Sequence, residues 1–262
     1  MSAEEVEVSI VLPTLNEAGN IAPLLDGLFS VFGERCEIAV VDDDSKDGTP
    51  QEVVSYAEAH PRRRLSLLRR GGPPSLALSL QEGISRTVGT IVVWMDADGS
   101  MPPEDALRLV DRVKAGCDIA VGSRFIPGGG HLKTGQDSRD PAAAVWVSRL
   151  FNFLLRRLIG LGLTDYTSGF AAVRRAVIAD LGLRGDYGEY FIDLVCRARG
   201  KGYSVVEIPY VIKPRRLGDS KTCSGPLQYA RLGVGYALTA VRLRWSAGRR
   251  VRHRGPAEKK VL

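Results

Sequence analysis

Two carboxylates close the apolar run Ile91-Val-Val-Trp-Met: Asp96 and Asp98, with only Ala97 between them. At positions i and i+2 beyond a strand, they can bring oxygens to a single divalent cation. Mg²⁺ and Mn²⁺ prefer such ligands and complete their shells with water and substrate phosphate. The same spacing also suits a solvated turn in which an Asp caps the next helix, and an isolated Asp-x-Asp favours that simpler reading. A calcium loop beginning at Asp43 is excluded, because its twelfth position is Val54 where a Glu is required. The three histidines, His60, His131 and His253, all fall in expected loops or the tail. Imidazole acid–base catalysis is therefore not expected.

What positions these carboxylates is an alternation of strands and helices. VEVSIVLPTL reads as a buried strand, and NEAGNIAPLLDGLFSVF has helical apolar spacing. CEIAVVDDDS, LSLLRR, GTIVVWMDAD and CDIAVGSRF read as further strands. The intervening helices are TPQEVVSYAEAH, PPSLALSLQEGISRTV, with Pro just inside its start, and PPEDALRLVDRVKAG. The pattern predicts an α/β fold, a mostly parallel central sheet flanked by helices on both faces. Ligands bind such sheets at the carboxyl ends of strands. PTLNE, DDDSKDG, DADGS and GSRF all follow strands there, so they converge on one face. Beyond residue 125, FIPGGGHLKTGQDSRDP reads as a structureless loop. AAAVWVSRLFNFLLRRLIGLGL and PLQYARLGVGYALTAVRLRW read as amphipathic helices, YSVVEIPYVI as strand and RRVRHRGPAEKK as a disordered tail.

The totals narrow the partners. With 262 residues, 44% apolar and 25% charged, the chain has ample material for a core. A net charge of +6 suits phosphates, nucleic acid or an anionic membrane. Cys36, Cys117, Cys196 and Cys223 lie far apart without a CxxC, which points to reduced thiols rather than a zinc site or disulfide framework. The acidic start MSAEEVEVS leads straight into a strand, so no signal peptide is expected, and no apolar run reaches the roughly 18 residues of a membrane-spanning helix. The expectation is a cytoplasmic enzyme.

The blocks IVLPTLNEAGNI, IAVVDDDSKDGT, VVWMDADGSMPPE, VGSRF, TSGF and RRLGDSK, in that order, resemble the inverting glycosyltransferases of family 2 with the GT-A fold. Within that group the chain looks most like the polyprenol-phosphate (dolichol-phosphate) mannose synthases. The first two blocks and the Asp-x-Asp are common to family 2; GSR, SGF and RxxGxSK narrow the resemblance to the polyprenol branch. It covers about residues 6–225. The resemblance implies that Pro13, Leu15, Glu17, Val41 and Asp43 line the nucleotide, while Asp96, Ala97 and Asp98 hold nucleotide and metal. Leu15 stands where the family commonly has Tyr. Ser100 stands where some members have a Gln metal ligand, and its shorter side chain leaves a coordination place for water. Arg124 and Arg174 are expected to face phosphates, as are Arg215 and Lys221 of the RxxGxSK block. Asp98, Arg124, Arg215 and Lys221 are the residues expected to carry catalysis. Ser75-Leu-Ala-Leu-Ser departs from the family's Gly-rich stretch and lacks its Lys.

The implied chemistry is consistent. A divalent cation, Mg²⁺ or Mn²⁺, would stabilise the charge on a departing nucleoside diphosphate. A polyprenyl phosphate acceptor is already an anion and needs cations rather than a base. The implied donor is GDP-mannose, with UDP-glucose its rival. An acceptor hydroxyl would instead need a general base, for which Asp165 or Glu189 is available. An inactive sugar-nucleotide-binding subunit is the alternative of another class, and a nucleotidyltransferase lacks its Gly-rich phosphate loop. A lipid acceptor requires a membrane surface. Val145 to Leu163 and Leu227 to Trp245 are apolar and studded with Arg, as interfacial helices are. Arg242, Arg244, Arg249, Arg250, Arg252 and Arg254 would draw anionic lipid; a membrane-protein partner is the alternative. No run of aromatic residues interleaves with these arginines, so nucleic acid is not expected. The expected organisation is a catalytic domain over 1–225, an amphipathic helix over 226–248 and a basic tail over 249–262, placed peripherally on the cytoplasmic face of a membrane.

Overall fold

Each apolar run of the first half forms a strand, and each periodic stretch after it a helix. In the computed structural model of the protein, residues 5–132, 142–186, 188–217, 239 and 242 are described. The first half runs β1 (Val8–Thr14), α1 (Ile21–Phe32), β2 (Cys36–Asp42), α2 (Thr49–Ala59), β3 (Arg64–Arg69), α3 (Leu76–Ser85), β4 (Ile91–Trp94), α4 (Pro103–Lys114) and β5 (Ile119–Ser123). The second half adds β6 (Gly130–His131), α5 (Ala142–Ile159), β7 (Ala171–Arg174), α6 (Arg175–Leu181), α7 (Glu189–Lys201), β8 (Val205–Pro209) and β9 (Val211–Ile212).

Seven strands form one sheet in the order β3-β2-β1-β4-β7-β5-β8. All neighbours are parallel except β7, which runs antiparallel to β4 and β5. The expected mostly parallel sheet with helices on both faces is the one observed. β4 and β5 are buried along their whole length, as strands covered on both faces must be. Alternate residues serve opposite cores. Val8, Ile10 and Leu12 of β1 join Leu25 and Leu28 of α1 and Val110 of α4 on one side. Val11 joins Leu80 of α3 and Leu194 and Val195 of α7 on the other.

Local signals explain the boundaries. Pro103 opens α4, where a missing N–H costs nothing, and Glu104, Asp105, Arg112 and Lys114 complement its dipole. At α3 the expectation was off by one turn. Ser75 is the cap, its hydroxyl accepting from Leu78 N at 3.4 Å, so Pro73 and Pro74 precede the helix. The segment after residue 125, expected to be without structure, contributes β6, which pairs in parallel with β9. Strand β7 and helices α6 and α7 are additions to the pattern read from the sequence. The RxxGxSK lysine Lys221, the helix expected over 226–248 apart from residues 239 and 242, and the tail over 249–262 lie outside the described residues.

Candidate active site

The carboxyl ends of β1 and β2 lie side by side, with Thr14 opposite Asp42 and Pro13 opposite Val41. Asp42 is wholly buried and organises the turn beyond it. It accepts from Thr14 Oγ1 at 3.2 Å and Ser45 N at 3.0 Å, and also from the Ser45 hydroxyl. Asn16 and Asp44 both hold positive φ, 53° and 65°, a region that Asn and Asp enter more readily than other side chains. Asn16 N then donates to Ser45 Oγ at 2.8 Å, and its carboxamide oxygen accepts from Lys46 N at 2.7 Å. Glu17 N donates to Thr49 Oγ1 at 2.8 Å. The PTLNE and DDDSKDG segments are thereby stitched into one rigid rim. On that rim Asp43 is held by Arg70 Nη1 at 2.6 Å and Ser75 N at 3.0 Å. Pro13 and Leu15 are half-buried beside it. Val41 and Ala97 are different: both are core residues, Val41 packing under α3 near Gly83 and Ala97 among Met95 and Met101. They can meet a nucleotide only through their backbone.

The acid turn follows β4. Asp98 is 3% exposed; one oxygen accepts from Ser100 N at 2.9 Å and the other meets Arg215 Nη2 at 3.0 Å. Arg215 Nη1 also lies 3.8 Å from Glu17 Oε1, whose second oxygen accepts from Asn20 Nδ2 at 2.9 Å. Asp96 is reached by solvent although protein crowds around it, as on the floor of a cleft. Desolvation there and the neighbouring Asp98 carboxylate push its carboxyl up to about 7. Gly99 takes φ 75°, and a Cβ there would press on Arg216 Cδ at 3.2 Å, so the turn needs glycine.

Residues 213–217 form a strap over this turn. Lys213 N donates to Ser100 O at 2.8 Å, and Arg216 N lies 3.4 Å from Asp98 O. At its far end Leu217 O accepts from Asn20 Nδ2 at 3.1 Å. Arg215 thus reaches the acid turn from the strap.

Arg124, at the end of β5, is gripped in bidentate fashion by Asp165: Nε to Oδ2 at 2.7 Å and Nη2 to Oδ1 at 2.8 Å. Burial alone would lower its pKa, but the Asp165 charge and hydrogen bonds raise it, so the guanidinium stays charged. Strands β4 and β5 both run antiparallel to β7, so the end of β5 that carries Arg124 opens on the same side of the sheet as the Asp96 turn. Asp165 is 0% exposed and also accepts from the Arg124 and Thr167 backbone N–H groups. It is a structural anchor and not the accessible base that an acceptor hydroxyl would need. Glu189 is also engaged, accepting from Asp186 N at 2.9 Å. The sequence alone does not single out Asn152, Thr167 or Glu207, which complete this network; Thr167 within TSGF is the one with a motif nearby.

Arg174 is not at the cleft, contrary to expectation. Because β7 runs antiparallel, the residue at its end lies opposite Ile91, the first residue of β4. Its guanidinium donates to Cys117 O at 3.1 Å and Val113 O at 2.7 Å.

These features fit one family. The glycosyl transferase family 2 model matches residues 9–182. The chain belongs to that family. It is 36% identical to the polyprenol monophosphomannose synthase of Mycolicibacterium smegmatis over 231 residues, 86% of this chain and 84% of that one. It is 31% identical to the undecaprenyl-phosphate mannosyltransferase of Micrococcus luteus, over 87% of this chain and 93% of that one. The dolichol-phosphate mannosyltransferase of Pyrococcus furiosus is also 31% identical, over 82% of this chain but only 59% of that one. In structure, the chain superposes on the glucosyl-3-phosphoglycerate synthase of Mycobacterium tuberculosis, solved with Mn²⁺, uridine diphosphate and phosphoglyceric acid. The TM-score is 0.65 at 18% identity, covering 91% of this chain and 78% of that one. That likeness establishes a shared fold. The protein is a glycosyltransferase.

Proposed function

We propose that the protein transfers mannose from GDP-mannose to polyprenyl phosphate, with inversion, at the cytoplasmic face of a membrane. The observation that carries this reading is the Asp96–Asp98 turn under the strap, with Arg215 above it and Arg124 beside it. Relatives matching most of the chain are named for mannose and a polyprenyl phosphate, which supports the substrate pair.

The turn fits a divalent cation. Asp96, Asp98 and Glu17 crowd negative charge around one guanidinium, and the raised Asp96 carboxyl records the excess. All donors are oxygens, as Mg²⁺ and Mn²⁺ prefer. Among the described residues no cluster of three His, Cys, Asp or Glu side chains makes a closed cage, so water and diphosphate oxygens would complete the shell around Asp96 and Asp98, with Ser100 close by. When bound, the ion would act as a Lewis acid on the leaving diphosphate. The residues of the chain do the rest. The rim of Pro13, Leu15, Glu17 and Asp43, with the Val41 and Ala97 backbone, seats the nucleotide. Arg215 exchanges carboxylate for phosphate as substrates enter, and Arg124 offers charge that Asp165 keeps oriented. Lys221 would add a further cation from the RxxGxSK block. The acceptor is already ionised, so no base is needed.

Helix α5 supplies a membrane face. Leu150, Phe153 and Leu154 are 61%, 54% and 53% exposed, with Arg149, Arg156 and Arg157 exposed around them. Such a face can lie in the headgroup region with its arginines reaching phosphates. Among the described residues no helix is long and apolar enough to cross a membrane.

The test is a panel of GDP- and UDP-sugars incubated with polyprenyl phosphate and Mg²⁺ or Mn²⁺, products read by mass. Mannosyl-phosphoryl-polyprenol from GDP-mannose alone is expected. Transfer only from a UDP-sugar, or only to a hydroxyl acceptor, would overturn the assignment.

A further inference from the structure

Asn152 sits on the inner face of α5, 2% exposed. Its carboxamide oxygen accepts from Tyr166 N at 2.8 Å, which leaves Nδ2 as the donor edge. That edge donates to Ser148 O at 3.0 Å and to Thr167 Oγ1 at 2.8 Å. A hydroxyl has one proton and two lone pairs. At Thr167 the lone pairs are taken by Asn152 Nδ2 and by Arg124 Nη2, the latter at 2.9 Å. Its proton is then directed at Asp165 Oδ1, 3.3 Å away. Asn152, Thr167, Arg124 and Asp165 therefore form one connected junction in which the Asn152 amide and the Thr167 hydroxyl are fully matched.

We infer that Asn152 is a positioning residue for the transfer reaction, acting through Thr167 to fix the Arg124 guanidinium. The inference rests on the reading of Arg124 as a phosphate-holding group. Tying α5 to the chain would require only the bond from Tyr166 N, since the bond to Ser148 O stays within α5 itself. The third goes instead to a hydroxyl whose other partner is the cleft arginine. Only a carboxamide can do this: Asp lacks the donor, and an apolar residue lacks both edges. Nη1 of Arg124 makes no hydrogen bond among the described residues, so it is the atom available to an anion. Its direction is set by what holds Nε and Nη2. The outer face of the same helix carries Leu150, Phe153 and Leu154. Seating α5 on lipid would thus be felt at the phosphate through a single side chain.

The test is a double-mutant cycle on the full chain, assaying mannosyl transfer alongside thermal unfolding. Asn152→Asp keeps the acceptor for Tyr166 N and removes the donor to Thr167. We expect kcat with polyprenyl phosphate to fall about tenfold, the upper end for one neutral hydrogen bond, while KM for the sugar nucleotide is unchanged. In an Arg124→Lys background the same substitution should cost less than about twofold, since coupled residues do not add. Thr167→Val breaks the junction without touching α5 and should reproduce the kcat loss, which decides the matter if Asn152→Asp is poorly folded. The inference is overturned if neither substitution changes kcat, or if their effects multiply in full with that of Arg124→Lys. Unchanged transfer by Arg124→Lys alone would sink the phosphate reading and this inference together. An impaired Arg124→Lys with multiplying effects would sink only the role of Asn152.

Discussion

Both ends of the sheet gather arginine and carboxylate, yet they bond them differently. At the amino end Arg174 is held by the Cys117 and Val113 carbonyls. Beside it Arg175 donates to Gly89 O at 2.6 Å, Ile84 O at 2.9 Å, Ser9 Oγ at 3.0 Å and Thr87 Oγ1 at 3.1 Å. Glu37 there accepts from Ser9 Oγ and from the Val88 and Gly89 N–H groups. Apart from the Asp118 carboxylate, 3.8 Å from Arg174 Nε, those partners are main chain and fixed hydroxyls, which a ligand could not replace without unfolding the turn. At the carboxyl end the partners of Arg215 among the described residues are carboxylates, Asp98 and Glu17, and Asp96 is left with excess negative charge. Such partners can be exchanged for a cation and a phosphate at little structural cost. An arginine bonded to carbonyls braces a fold; an arginine bonded to carboxylates over a cleft is available for chemistry.

The contrast yields substitutions of decreasing effect. Asp98→Ala should be the most severe, lowering transfer by about 10³-fold or more, because it removes both the proposed cation ligand and the counter-charge of Arg215. Unfolding temperature should change little, and turnover near wild type by the folded variant would remove the cation assignment. Arg215→Ala should cost about 2–4 kcal/mol in kcat/KM with stability preserved. Arg215→Lys should recover only part of that, since an ammonium lacks the planar fork; full recovery would show that charge alone is read there. Arg175→Ala should do the reverse. Leaving buried carbonyls unpaired should destabilise the protein by about 1–3 kcal/mol in denaturant unfolding, with kcat/KM of the folded fraction unchanged. A large loss of activity without loss of stability would place function at the amino end and break the contrast. Phe153→Glu on α5 should give the smallest effect on catalysis. It should weaken pelleting with anionic vesicles while leaving transfer to a short soluble acceptor within about twofold, an exposed position being energetically mild. Equal pelleting of variant and wild type would remove α5 from the membrane contact.

The parts legible in the sequence are those written in local pattern. Apolar strands ending in PTLNE, DDDS and DADG predict the order of elements and the cleft, because in a parallel sheet every strand end falls on the same side. The pairing of Arg215 with Asp98 was not legible, since residues 117 positions apart share no periodicity; the resemblance only put both in the catalytic set. Arg174 shows the limit. Its place after SGF suggested a phosphate contact, but four residues, Ala171 to Arg174, carry no sign of strand direction, and the reversal of β7 delivers the side chain to the other end. Helix α7, with Tyr190, Phe191, Leu194 and Val195 buried, was missed although its spacing is helical. Asn152, Thr167 and Glu207 are ordinary polar residues whose significance lies in who meets them across the fold.

The central claim, that the acid turn works with a divalent cation and a nucleotide sugar, is tested most directly by one assay. Metal-free wild-type protein is given GDP-mannose and polyprenyl phosphate with chelator present, and then with Mg²⁺ or Mn²⁺ in excess over it. We expect no measurable mannosyl transfer in chelator and full recovery on adding either ion. Transfer at the same rate in both conditions would contradict the account.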